Sequence, residues 1–259
     1  MNRLLLFLLA LPITAFAQCD PPTPAQNAAY EKVVRALQSE FKANLPSGNW
    51  TIFDERTSLG KLTLSDEYGK TFRVCGDRYD LTIERASQTA DRRAKIDSAT
   101  AKTNRTPVDS LKQQTSLIII TDSLYKATDG PGTAKLAENT VDINVEMNVA
   151  NYRLSEPISN RVVDKYRLIA VKGANLAMQL TRNGTKEGNP TRPETVVLLG
   201  NWKNNMVSDK KGNKVFKFSY GKGGTLIENL VVTIKGPFAV ADEMVKKVNW
   251  AKLAATLTR

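Results

Sequence analysis

The segment KKGNKVFKFSYGKGG, residues 210–224, gathers side chains that could hold an anion. Five lysines, two phenylalanines and one tyrosine lie within these fifteen residues. Ammonium groups crowded at one place create a positive potential that concentrates anionic ligands. The segment therefore predicts an anion-binding surface formed by six lysines: Lys203, Lys210, Lys211, Lys214, Lys217 and Lys222. The alternative is an ordinary hairpin whose lysines only keep it solvated.

The aromatic residues of this segment are predicted to lie apart from its lysines. In a strand, successive side chains point to opposite faces. One face is then formed by Phe216, Phe218 and Tyr220, and the other by Val215, Lys217 and Ser219. A nucleic-acid stacking platform needs bases to meet aromatic and basic groups on one surface. Nucleic acid is therefore not the expected partner, and the expected anions are acidic polysaccharide, lipopolysaccharide or another envelope component.

Carboxylates and serines offer only weak catalytic patterns. Asp142 and Glu146 are four residues apart on a predicted strand, which separates their backbones by about 13 Å. Glycosidase carboxyl pairs lie about 5–9.5 Å apart. Ser-x-x-Lys occurs at 58–61, 123–126 and 208–211, without the helical context and companion motifs of serine–lysine enzymes. No catalytic residue is predicted.

The chain contains no histidine among its 259 residues. Histidine is the commonest general base and the commonest metal ligand in proteins. Its absence excludes Ser-His-Asp and Cys-His catalysis within this chain. With two cysteines as well, a zinc site is not expected, and no metal or other cofactor is predicted.

The positive charge of the chain is concentrated in one region. The formal net charge is +11, from 37 lysines and arginines against 26 aspartates and glutamates. Residues 200–222 alone contain six lysines and one aspartate. This local excess supports the predicted anion-binding surface more than the overall charge does.

The first residues, MNRLLLFLLALPITAFA, have the layout of a secretory signal peptide covering 1–17. Arg3 precedes a short apolar stretch, and the segment ends in an A-x-A cleavage site. The apolar stretch is shorter than the roughly 20 residues of a membrane-spanning helix. The mature chain is expected to begin at Gln18 and to be exported to the periplasm or the exterior.

Cys19 and Cys75 are the two cysteines of the chain. In an exported protein, such a pair predicts a disulfide. The loop-entropy model gives such a bridge about 4 kcal/mol of stabilisation. Lipid attachment at Cys19 is the lesser alternative, since Gln18 occupies a place where lipoprotein signals usually have a small residue.

The N-terminal region, residues 18–88, reads as a helix followed by a β-meander. Thr23, Pro24 and Gln26 form a capping-box start. An apolar stripe at helical spacing follows and ends before Pro46. Four short strand-like runs separated by glycine and aspartate then predict an antiparallel meander.

A polar segment, residues 89–114, is interpreted as a solvated helix or a linker between two regions. Residues 115–259 are then predicted to form a larger β-rich domain. Within it, the sequence DINVEMNV of residues 142–149 alternates strictly between polar and apolar residues, as in a half-buried strand. A closing helix is predicted near Pro237.

Together these patterns predict an α+β fold of antiparallel sheets with an N-terminal and a C-terminal helix packed on them. The expected function is that of an exported, non-catalytic envelope protein that binds or scaffolds an anionic ligand. A histidine-free hydrolase or lyase acting on an envelope polymer is the alternative. A deep pocket with two convergent carboxylates would favour that alternative. The sequence leaves the oligomeric state open.

Overall fold

The structure is a computed structural model that describes residues 22–59, 62–67, 70–75, 77–87, 90, 94, 138–154, 163–182, 193–208, 214–221 and 226–258. Its helices are α1 (Pro24–Ala43), α2 (Phe238–Lys247) and α3 (Trp250–Ala254). Its strands are β1 (Trp50–Ser58), β2 (Leu62–Glu67), β3 (Lys70–Cys75), β4 (Asp77–Arg85), β5 (Thr140–Met147), β6 (Asn151–Arg153), β7 (Val163–Leu168), β8 (Leu176–Arg182), β9 (Glu194–Gly200), β10 (Val207–Ser208), β11 (Lys214–Lys217) and β12 (Asn229–Lys235). The predicted α+β class is confirmed.

A seven-stranded antiparallel sheet organises the molecule, in the order β1-β4-β5-β12-β9-β8-β7. A three-stranded sheet, β10-β11-β6, and the two-stranded β2-β3 hairpin complete the described strands. Because β4 pairs with β5, strands from both sides of the segment 89–114 belong to one sheet. The domain boundaries at that segment remain a prediction, since the structure describes only two of its residues.

The first four strands pair differently from the predicted meander. β1 pairs along its length with β4 rather than with β2, and β2 pairs with β3. The shorter hairpin is therefore inserted between two long strands. Turn residues locate strand ends, but the pairing of strands depends on burial and register, which the turns alone do not specify.

The first helix begins as its sequence predicts. The Thr23 hydroxyl accepts a hydrogen bond from the Gln26 backbone N–H, and the Gln26 side chain accepts one from the Thr23 N–H. This reciprocal capping satisfies two of the otherwise unpaired N–H groups at the helix start. The buried face of α1 contains Tyr30, Val33, Val34, Leu37 and Phe41, as the stripe predicts.

The C-terminal helix predicted near Pro237 is two helices in the structure. Pro237 precedes α2, and Val248 adopts an extended conformation that ends it. Asn249 then caps α3, with its side chain accepting a hydrogen bond from the Lys252 N–H at 3.0 Å. Trp250 begins the second of these helices, and its ring is buried in the core.

The main hydrophobic core lies between the three helices and one face of the large sheet, and we call it the helix-side core. Phe41 of α1 lies at its centre, 6.4 Å from the ring of Tyr79 and 6.4 Å from the ring of Trp250. The sheet contributes alternate residues, among them Leu81, Ile83, Ile143, Val145, Val197, Leu199, Val232 and Ile234.

The opposite face of the large sheet is divided into two halves. Under the three-stranded sheet lies a second cluster, the small-sheet core, formed by Tyr152, Leu154, Met178, Leu180, Val196, Leu198, Trp202, Phe216, Phe218 and Val231. On β4 and β5 the same face is polar instead. β9 is therefore buried on both faces, which explains its apolar run VVLLG.

A buried carboxylate joins the first and last helices. Glu40 of α1 accepts hydrogen bonds from the Lys252 ammonium group at 2.7 Å and from the Asn249 N–H at 3.1 Å. The Lys252 hydrogen bond is the largest influence on the pKa of Glu40 and, with the Asn249 N–H, lowers it against the opposing effect of burial. The ionised form of Glu40 is thus favoured in the folded state.

We expect Glu40→Gln to lower the free energy of unfolding at neutral pH by about 1 kcal/mol, because the half-exposed Lys252 is screened by solvent. Since folding lowers the pKa, this stabilisation is present above the pKa of the unfolded state and is lost as the pH falls through the folded value. Urea unfolding at neutral and acidic pH measures the difference. Glu31→Gln, at an exposed pair with Arg35, is the control; equal losses in both variants would contradict the prediction.

Candidate functional site

The structure describes three of the six predicted lysines, and all three are exposed. Lys214 and Lys217 lie at the two ends of β11, and Lys203 lies beside them. The backbone N–H of Lys203 donates to the Lys217 carbonyl at 2.9 Å. We call Lys203, Lys214 and Lys217 the basic surface. Lys210, Lys211 and Lys222 lie outside the described residues.

The basic surface carries charge that the described part of the chain does not neutralise. Within the described residues, no carboxylate oxygen forms an ion pair with Lys203, Lys214 or Lys217. Their ammonium groups are therefore directed to solvent, where an anionic ligand has access to them.

The aromatic residues of this region pack largely as predicted, with two differences. Phe216 and Phe218 are buried in the small-sheet core. Val215, predicted for the solvent face, is 1% exposed, whereas Tyr220, predicted for the aromatic face, is 37% exposed. For Tyr220 the alternation fails because β11 ends at Lys217 and the chain beyond it is no longer a regular strand. Val215 lies within β11, where both it and Phe216 are buried.

A pocket that the sequence did not reveal lies beside the basic surface. Its volume is about 600 Å³. It is lined by Gly173, Ala174, Asn175, Gly200, Asn201, Phe218, Ser219, Gly221, Glu228, Ala254, Leu257 and Thr258. These residues come from the turn before β8, the end of β9, the chain after β11, the start of β12 and the C-terminal segment. We call this cavity the Glu228 pocket.

Glu228 places a buried carboxylate in the wall of this pocket. Its side chain is 4% exposed, and Oε2 accepts a hydrogen bond from the backbone N–H of Gly221. Its own backbone N–H donates to the side-chain oxygen of Asn148 at 2.9 Å. Both interactions fix the carboxylate relative to the loop that precedes β12.

Asn148 organises the backbone around the pocket in a left-handed conformation, with φ of 56°. Its side-chain amide donates to the Leu226 carbonyl at 2.9 Å. Its carbonyl oxygen accepts from the Tyr220 hydroxyl at 2.5 Å. Asn229 completes the link, since its side chain both accepts from Val149 N–H and donates to Val149 C=O. Asparagine is one of the few non-glycine residues that adopt this conformation readily.

Gly200 lies in the pocket wall with φ of 112°. A Cβ atom at this position would lie 2.6 Å from the Glu228 carbonyl oxygen and 3.0 Å from the Asn229 Cβ. Only glycine permits both this conformation and this close approach. Gly200 thus lines the pocket directly, whereas Asn148 acts on the pocket wall through the hydrogen bond that its side-chain oxygen accepts from the Glu228 N–H.

Tyr220 lies at the edge of this group as a neutral phenol. Burial raises the pKa of its hydroxyl, the Asn229 side chain partly offsets this, and the nearby Glu228 carboxylate raises it further. Its ring packs edge-on against Phe218, with centroids 4.9 Å apart. The phenol thus serves as a hydrogen-bond donor to Asn148 rather than as a base.

The carboxylates of β5 are engaged in cross-strand pairs. Asp142 accepts a hydrogen bond from the Thr82 hydroxyl at 2.9 Å, and Glu146 forms an ion pair with Arg78 at 3.0 Å. Both pairs lie in the register of β4 and β5. Among the described residues that line the Glu228 pocket, Glu228 is the single carboxylate, so the two convergent carboxylates that a hydrolase would require are not found there.

The serines of the Ser-x-x-Lys patterns occupy strands or lie beyond the described residues. Ser58 ends β1 and Ser208 ends β10, while Ser123 and all three paired lysines are not described. A serine–lysine arrangement on one helix face therefore finds no support in the described residues.

The predicted disulfide between Cys19 and Cys75 is not tested by the structure. Cys19 and the side chain of Cys75 lie outside the described residues, so the disulfide remains a prediction.

In the part of the chain that the structure describes, no helix has the length and apolar character needed to cross a membrane. The same described residues contain no group of three or more metal-ligating side chains.

No family model, curated protein or solved structure matches the chain.

Proposed function

We propose that the chain is an exported, non-catalytic protein of the cell envelope that binds or scaffolds an anionic component. The observation that carries this proposal is the basic surface, where two exposed lysines at the ends of β11 and a third beside it have no ion-pair partner among the described residues. The signal-like N-terminus supports export, and the absence of histidine supports binding over catalysis.

The expected ligand is a polyanion, such as an acidic polysaccharide or the phosphate groups of lipopolysaccharide. The aromatic rings next to the basic surface are buried, so recognition would depend on charge rather than on stacking. An interaction of this kind is screened by salt and releases counterions when it forms.

We expect the double variant Lys203→Gln, Lys217→Gln to bind heparin and lipopolysaccharide more weakly than the parent. The slope of log affinity against log salt concentration should flatten by roughly one for each lost contact. Affinity measured across a salt series checks both effects. Unfolding should barely change, because exposed substitutions usually alter stability by about 0.5 kcal/mol or less.

The matched control is Lys32→Gln, Lys246→Gln, which removes two exposed lysines from the helix layer. It changes the net charge by the same amount, so a response to overall charge would weaken binding equally in both variants. That equality, or unchanged binding of the first variant at low salt, would contradict the proposed role of the basic surface.

A further inference from the structure

We propose that the Glu228 pocket binds one unit of a saccharide, a function separate from anion binding at the basic surface. The proposal rests on the shape of the pocket, on the chemistry of its lining and on the backbone that shapes it. It does not depend on the ligand of the lysines.

The size of the pocket suits a small molecule. Its volume of about 600 Å³ falls within the range of about 300–1,000 Å³ that is usual for ligand sites. Its wall is formed by five separate parts of the chain, including the C-terminal segment, which is held by the Thr258 N–H donating to the Ile227 carbonyl at 2.9 Å. Ligand sites generally have this composite construction, with most of the shape formed before binding.

The polar lining offers donors and acceptors together. Asn175 and Asn201 carry carboxamides, and Ser219 and Thr258 carry hydroxyl groups. Each of these groups can both donate and accept, as each hydroxyl of a sugar does. Among the described lining residues there is no lysine or arginine that would pair with a phosphate or carboxylate ligand.

Phe218 adds a small apolar area to the pocket wall, since the residue is 9% exposed. Phe218 lines the cavity, and its ring is held edge-on by Trp202 at 5.3 Å and by Tyr220 at 4.9 Å between centroids. A ring fixed on both sides loses little side-chain freedom when a ligand packs against it. Aromatic surface with a few oriented polar groups is the usual composition of small-molecule sites.

The carboxylate of Glu228 gives the pocket a preference among sugars. A carboxylate accepts hydrogen bonds from hydroxyl groups and repels a second negative charge. Neutral monosaccharides should therefore bind better than uronic acids of the same ring. The basic surface is expected to favour anions and the pocket to favour neutral sugars. The two sites can therefore be distinguished by comparing charged with neutral ligands.

The test uses the full mature chain labelled with ¹⁵N and titrated separately with glucose, galactose, mannose, N-acetylglucosamine, glucuronate and methylamine. Shifts of the Gly173, Asn175, Asn201 and Gly221 amides report binding in the pocket. At least one neutral sugar is expected to shift these amides at millimolar concentration. Glucuronate should bind about tenfold more weakly than glucose because of charge repulsion in the partly desolvated pocket.

Two variants test whether the sugar binds in the Glu228 pocket. Glu228→Gln should weaken sugar binding and narrow the difference between glucose and glucuronate, because the amide retains an acceptor oxygen but not the charge. Asn201→Ala, at an exposed position of the rim, should reduce the shifts and remains informative if Glu228→Gln does not fold. Glu31→Gln, on the exposed surface of α1, should bind like the parent.

Several results would overturn the proposal. It is wrong if none of the four neutral sugars shifts the pocket amides, or if methylamine shifts them and the sugars do not. Sugar-induced shifts that persist undiminished in Asn201→Ala would also place the ligand elsewhere.

Discussion

Trp250→Ala is expected to lower the free energy of unfolding by about 3–5 kcal/mol. The Trp250 side chain is 1% exposed and packs edge-on against Phe41, with centroids 6.4 Å apart. Its indole N–H donates to the Val245 carbonyl at 2.7 Å. Alanine would leave a cavity between α1 and α3 and would remove the donor from a buried carbonyl. Denaturant unfolding monitored by far-UV circular dichroism measures the loss.

Trp250→Phe separates the contribution of apolar packing from that of the hydrogen bond to the Val245 carbonyl. Phenylalanine keeps much of the apolar contact with Phe41 but has no N–H for the Val245 carbonyl. Its loss should be clearly smaller than that of the alanine variant, since a net hydrogen bond is worth about 0.5–1.5 kcal/mol and the cavity is reduced. A loss under about 1 kcal/mol for Trp250→Ala would show that α3 is not fastened to the core by this ring.

The start of α1 and the alternation of β5 could be predicted from the sequence. The α1 start depends on Thr23 and Gln26, which are three residues apart and interact directly. The alternation predicted for residues 142–149 matches the observed burial as far as Met147, with Ile143, Val145 and Met147 buried and the residues between them half-buried. Beyond Met147 the strand ends, and Val149, predicted to face the core, is half-buried. In both cases the residues that determine the structure lie within a few positions of one another in the chain, so no knowledge of distant partners is needed.

Strand pairing could not be predicted in the same way. β1 and β2 are neighbours in sequence, but β1 buries its residues against β4, and β4 continues the sheet to β5 across more than fifty residues. Each strand has apolar residues suitable for several partners. The choice depends on the whole core, which the local pattern does not contain.

The Glu228 pocket was missed for a related reason. Asn148, Gly200, Phe218 and Glu228 lie at least ten residues apart in the sequence and meet only after the sheet has formed. The one signal in the sequence was Glu228-Asn229, a polar pair that directly precedes the apolar run of β12. Buried polar groups are usually hydrogen-bonded. The side chains of Glu228 and Asn229 both form such hydrogen bonds.

Phe218→Ala is the second variant with a large expected effect, a loss of about 3–5 kcal/mol. The Phe218 side chain is 9% exposed in the small-sheet core. Its ring contacts Trp202 edge-on at 5.3 Å and Tyr220 at 4.9 Å between centroids. Removing the ring takes away its aromatic contacts with Trp202 and Tyr220 and enlarges the Glu228 pocket, which Phe218 lines.

The loss at Phe218 should destabilise the whole fold rather than the small sheet alone. β9 and β12 contribute to both cores, since Val197 and Val232 face the helices while Val196 and Val231 face the small sheet. Loosening one core therefore weakens strands that the other core needs. We expect tryptophan fluorescence and far-UV circular dichroism to report one shared transition, shifted to lower denaturant in Phe218→Ala. Phe218→Leu, which fills part of the cavity, should lose less. Two separate transitions, with fluorescence changing before the helices unfold, would show that the small sheet folds independently of the helix-side core.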